Sequence, residues 1–214
     1  MIDGWRALWS GARGPGSAAA PVLEQLRSPL DARLLVAAAL VGVLGGLGAF
    51  VFRNLLADAE RLFYGTIGAP LAIVSPLALV LVPALGGILV GALTRLLAPE
   101  ARGQGIPEVL LAVKLHGGHI RPRVAIVKTV ASALCLGSGG SAGQVGPIVQ
   151  IGASLGSFVG QGLRMRSDHL RLLVACGAGA GIAATFNAPI GGVCFAVAVI
   201  LADFAVHSFS MVVL

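Results

Sequence analysis

The 214-residue chain is 57% hydrophobic and 11% charged, with a mean hydropathy of +0.93. A soluble domain carries about 25% charged residues, and a chain this short cannot hide so much apolar surface in a soluble core. That composition excludes an ordinary water-soluble protein. With aromatics at 5%, it also argues against a nucleic-acid partner, although the net charge is +6.

Residues 1–30 are rich in Gly, Pro, Ala and Arg and contain no apolar segment of the kind a cleavable signal peptide needs. They are expected to form a cytoplasmic tail, with a short interfacial helix around Pro21 to Arg33. Residues 31–214 are expected to form a transmembrane domain. Its first charge-free stretch, Leu34 to Phe52, carries Gly42, Gly45, Gly46 and Gly48, a small-residue set suited to close helix packing. The second, Ile67 to Thr94, predicts a helix from about Pro70 to Leu97. Between Arg102 and Arg123 the chain turns amphipathic, and Gly105-Ile106-Pro107-Glu108 opens a short helix to about Leu115. Proline suits that first turn, where its missing N–H would be unpaired in any case.

Thr129 to Leu163 lacks charge over more residues than one crossing needs, since about 20 apolar residues span a bilayer. Its centre, Gly137-Ser138-Gly139-Gly140-Ser141-Ala142-Gly143-Gln144-Val145-Gly146-Pro147, cannot remain helical. Two helices joined by irregular backbone are expected, the second restarting at Pro147. The same break recurs in the last stretch, Leu172 to Ala202, at Phe186-Asn187-Ala188-Pro189-Ile190-Gly191-Gly192. Irregular backbone at membrane depth is tolerated where protein buries it or where it lines a wet cavity.

The basic residues follow these segments. Alternating the chain direction puts thirteen of the fifteen on one face, leaving only Arg53 and Arg61 on the other. The positive-inside rule makes the basic face cytoplasmic, with the N-terminus inside. Cys135, Cys176 and Cys194 lie in apolar stretches without a pairing pattern and read as packing residues, with neither a metal nor a redox role. His116 and His119 form an H-x-x-H in a basic loop without acidic neighbours, a solvated pair rather than a metal site. Ser141 with His207 is a weak case for a protease, because the serine sits in a glycine run that backbone packing already explains. Neither an enzyme nor a cofactor is expected.

Broken helices imply a definite chemistry. A helix N-terminus carries about half a positive charge, and several aimed at one point replace part of an anion's hydration without the tight hold of a full cation. Glu108 suits the same dipole as a carboxylate in a first turn, and Lys128, near a helix start, is expected to be paired or snorkelling.

Three segments resemble the CLC family of chloride channels and proton-coupled transporters in order and spacing. Gly103-Gln104-Gly105-Ile106-Pro107-Glu108 is similar to the family's G-S-G-I-P-E element, and Gly143 to Gly152 is similar to G-[KR]-E-G-P-x-[VA]-Q-[IL]-G. Gly177 to Gly192 resembles the glycine–alanine helix and the F-N-A-P turn after it. The resemblance runs from about residue 30 to the C-terminus and covers the first half of an inverted repeat. It implies an all-α membrane fold of tilted and broken helices. It also implies an anion site at Gly103, Gln104, Gly105, Ile106, Pro107, Gly143, Gln144, Val145, Gly146 and Pro147, and a homodimer in the complete form.

The departures from the family pattern bear on mechanism. Gln104 stands where the family usually has the ion-coordinating Ser, Val145 where it usually has the gating Glu, and Val199 where exchangers have an inner proton-accepting Glu. The expectation is passive conduction of chloride or a similar small anion across a bilayer of the bacterial inner-membrane type. The competing expectation is a truncated, non-conducting assembly module.

Overall fold

A computed structural model describes residues 29–70, 80–97 and 103–201, and every element among them is helical. The expected tail with its interfacial helix, the stretch that follows Pro70 and His207 lie, in whole or in part, outside the described residues. The elements are α1 (Pro29–Glu60), continued by a π-helical segment (Arg61–Gly68), α2 (Leu81–Leu97), α3 (Ile106–Leu115), α4 (Arg123–Gly137), α5 (Val145–Gly162), α6 (Ser167–Phe186) and α7 (Pro189–Phe195), which ends in a π-helical turn (Ala196–Ile200).

The apolar stretch beginning at Leu34 lies within a longer helix than its charge-free core, because Leu55 to Glu60 keep helical spacing past Arg53. Ala32–Gly68 and Ser167–Phe186 are each long and apolar enough to cross a bilayer. Only 22% of the most apolar window in the first is buried, and α1 exposes Val36, Val43 and Phe50 along its length. An apolar face that wide suits a hydrocarbon solvent.

Lipid tails are as apolar as leucine, so helices in a bilayer associate through close packing rather than through burial from water. Glycine supplies that packing. A β-carbon at Gly152 of α5 would land on the carbonyl of Gly177 in α6, and one at Gly177 would land on that of Gly152. Gly156 meets the Leu173 carbonyl in the same way, so α5 and α6 cross backbone on backbone. Val109 and Val113 of α3, Val149 and Ala153 of α5, Val174 and Ala178 of α6 and Ala196 after α7 make one buried cluster. Phe52 of α1 packs with Ala133 of α4 and Ile148 and Ile151 of α5 in another.

Both expected breaks are present. The first separates α4 from α5; the second follows Phe186, where Asn187 takes a left-handed conformation (φ 51°) before α7 starts at Pro189. The fifth helix begins at Val145, two residues ahead of the expected restart at Pro147. Pro147 falls in its first turn, where no helical N–H bond is required of it.

Candidate functional site

The site grows from two helix starts. At α3, the Glu108 side chain folds back, and its Oε2 accepts a hydrogen bond from the backbone N–H of Gly105 at 2.7 Å. This is half of a capping box; the other half is missing because Gly105 has no side-chain acceptor. Gly105 itself has φ 103°, a conformation that side-chain-bearing residues rarely adopt. From α4, the Lys128 ammonium donates to the carbonyl of Gly103. Lys128 is only 5% exposed, so its charge is held inside the fold rather than snorkelling to the surface. The Gly103–Gly105 loop is thus tied by a carboxylate at one end and an ammonium at the other.

The second start is built by the glycine run. The Gly140 N–H donates to the Cys135 carbonyl at 2.8 Å and the Ala142 N–H to the Gly140 carbonyl at 2.9 Å, folding residues 138–144 into a compact turn. The Tyr64 hydroxyl donates to the Ser138 carbonyl at 3.3 Å and covers this turn from the π-helical segment. Gly139 (φ 90°) leaves room for that ring, since a β-carbon there would strike the Tyr64 hydroxyl. Helix α5 then leaves at Val145, with the Ile148 N–H donating to the Gln144 carbonyl as the first bond of the ladder.

The two starts touch through backbone. A β-carbon on Gly146 would fall on the Gln104 carbonyl oxygen, and one on Gly105 would fall on that of Gly146. Beside this contact opens a cavity of about 600 Å³. Its wall is made by the loop before α3, the turn before α5, Val90 and Thr94 of α2, and the face of α4 that carries Lys128, Ser132 and Cys135. No carboxylate lines it among the described residues. The first N–H groups of each helix have no partner within that helix, so the wall combines amide dipoles, hydroxyls and one ammonium. Such a surface favours an anion over a cation.

Of the ten residues that the sequence singles out, Gly103, Gln104, Ile106, Gly143, Gly146 and Pro147 line this cavity. Gly105 is buried behind it, as the spacer that lets the loops meet. Pro107 and Gln144 are exposed and lie off its wall. Val145 is also off the wall, packed against the buried cluster around Val109 and Val149; Val199 packs against that same cluster. Lys128, Thr94, Ser132 and Ser141 line the cavity although sequence reasoning does not select them as site residues. A lysine inside an apolar stretch is the available signal for the first of them; single hydroxyls carry none. His116 and His119 are exposed, and no group of three potential metal ligands occurs among the described residues.

Residues 86–214 match the family model described as "Voltage gated chloride channel". The chain is 40% identical over 182 residues to the H(+)/Cl(-) exchange transporter ClcA of Citrobacter koseri, covering 81% of this chain and 37% of that protein. A ClcA of Salmonella newport is 37% identical over the same length. Among solved structures, a slow cyanobacterial Cl-/H+ antiporter aligns with a TM-score of 0.58 at 34% identity, over 76% of this chain and 39% of that one. A eukaryotic CLC transporter aligns with a TM-score of 0.63 at 24% identity, a likeness of fold. The chain spans well under half the length of these relatives.

Proposed function

We propose, for a chain that belongs to the voltage-gated chloride channel family, that it forms the N-terminal half of an anion pathway and that this pathway moves chloride or a similar small anion passively. One observation carries the reading: Gly105 and Gly146 bring the N-termini of α3 and α5 together at one polar cavity whose wall, among the described residues, holds no carboxylate. Gly103, Gln104, Gly105, Ile106, Gly143, Gly146 and Pro147 shape the anion's surroundings, Lys128 keeps the first loop in place, and Pro107, Gln144 and Val145 set the direction of the helix starts.

Passive movement is supported by Val145 and Val199. Valine cannot titrate, and both side chains lie in apolar packing, whereas the ClcA relatives are named as exchangers. The test is a vesicle assay on this chain assembled with a complementary C-terminal half. With a chloride gradient imposed, chloride should leak while protons do not move uphill. Uphill proton movement in fixed ratio to chloride would defeat the passive reading and point to Glu108, whose carboxylate holds the first loop, as carrier.

A second reading is favoured by length: the chain covers 37% of its ClcA relative. On it, the isolated 214-residue chain inserts and assembles but does not conduct. Thirteen basic residues against two would orient nearly every copy alike, and parallel copies cannot aim helix starts at one point from opposite sides. Chloride efflux from liposomes holding this chain alone should match empty liposomes; selective efflux would reject the second reading.

A further inference from the structure

A second cavity, of about 340 Å³, lies between α3, the loop after it and the start of α4, with Gln150 of α5 among its lining residues. Gln150 is 2% exposed, and its Oε1 is buried without a hydrogen-bond partner among the described residues. Native proteins rarely leave such an acceptor unmet, because the hydration lost on burial is then not replaced. No donor among the described residues meets it, and a bound molecule with a hydrogen-bond donor would.

The loop over this cavity is held in place. Ser157 is fully buried; its hydroxyl donates to the Gly118 carbonyl at 2.7 Å and accepts from the Ile120 N–H at 2.9 Å. Gln161 Nε2 donates to the Ile120 carbonyl at 2.9 Å. These bonds fix the segment that carries His116, His119 and Arg121, the three basic side chains lining the cavity, all of them exposed. Glu108 also lines it, but that carboxylate already accepts from Gly105. Beside the basic rim, Leu111 is 52% exposed and lines the same cavity.

From the unmet acceptor within, the basic rim and the adjoining apolar surface we propose that this cavity binds a phosphate ester carrying its own hydrogen-bond donor. The donor reaches Gln150 Oε1, and the phosphate meets Arg121 and the two imidazoles. Arginine's fork geometry matches phosphate oxygens. Such binding is independent of anion transport through the first cavity. A phospholipid head group and a free glycerophosphate share this chemistry.

The test is thermal unfolding of the full chain in detergent, with phosphatidylglycerol, phosphatidylcholine or soluble glycerol 3-phosphate added. Phosphatidylcholine is the control, because it has the phosphate without a donor. Phosphatidylglycerol should raise Tm by about 5 °C near saturation while phosphatidylcholine does not. An equal shift with glycerol 3-phosphate supports the free ester as the source; a shift with the lipid alone supports the membrane. Gln150→Leu should weaken the apparent affinity about tenfold. Should that variant fail to fold, Arg121→Gln should weaken it to a similar degree. Absence of any shift, in which case the cavity holds water only, would overturn the proposal. So would equal shifts with phosphatidylcholine, or undiminished affinity in the variant tested.

Discussion

Arg53, near the end of the long first helix, donates from its Nη2 to the carbonyl of Thr185 at 2.8 Å, joining residues 132 positions apart. The bond satisfies a carbonyl in the last turn of α6, just ahead of the left-handed Asn187. The last four carbonyls of a helix have no partner within it, and a cation there also suits the dipole. Arg53→Ala should therefore lower stability by about 0.5–1.5 kcal/mol. Arg53→Lys should recover only part of this, lacking the planar fork. Thermal unfolding of the three proteins in one detergent measures both.

The contact between Gly105 and Gly146 makes a sharper prediction. In Gly146→Ala the new methyl meets the Gln104 carbonyl, part of rigid backbone with no rotamer to yield. A loss of about 1–3 kcal/mol follows from such overpacking. Gly87, in the middle of α2, has nothing within 4 Å of the place where an added methyl would sit. Gly87→Ala should therefore be neutral or stabilising by up to about 1 kcal/mol through helix propensity. Equal effects at the two positions would contradict the backbone contact.

Lys128→Met keeps the length of the side chain and removes its donor. The Gly103 carbonyl then loses a charged hydrogen bond worth about 1.5–3 kcal/mol. The local result is a loosened loop, so amide exchange at Gln104 and Gly105 should quicken about tenfold or more, with α6 unaffected. Hydrogen exchange read by mass spectrometry resolves this segment from the rest.

Topology is tested at His119, which is exposed on the loop between α3 and α4. With Cys135, Cys176 and Cys194 replaced by serine or alanine, His119→Cys should react with an impermeant thiol reagent only after the cell membrane is opened. Strong labelling of intact cells would reverse the assigned orientation.

The breaks are legible in the sequence because they are local: a glycine run and an F-N-A-P turn cannot continue a helix wherever they are packed. The start of α3 is legible for the same reason, through Pro107 and Glu108. What escapes is tertiary. Nothing local in Val145 says that it packs toward Val149 and away from the cavity. Nothing in Lys128 names Gly103 as its acceptor, 25 residues earlier. Gln150 belongs to a recognisable motif, yet nothing in that motif says that its oxygen is buried without a partner among the described residues.

The paired loops at Gly105 and Gly146 also govern how this protein would look to a mutational scan. A pocket that works through side chains is found by deleting them, and alanine marks the important positions by what it removes. Where these two loops meet, the contact is main chain, so alanine there acts by what it adds. Gly105 and Gly146 would emerge as positions at which a single methyl is refused almost as firmly as a bulky ring, while Gly143 and the exposed leucines on α1 and α2 accept wider exchange. Such a map outlines a cavity through the shapes that cannot approach it.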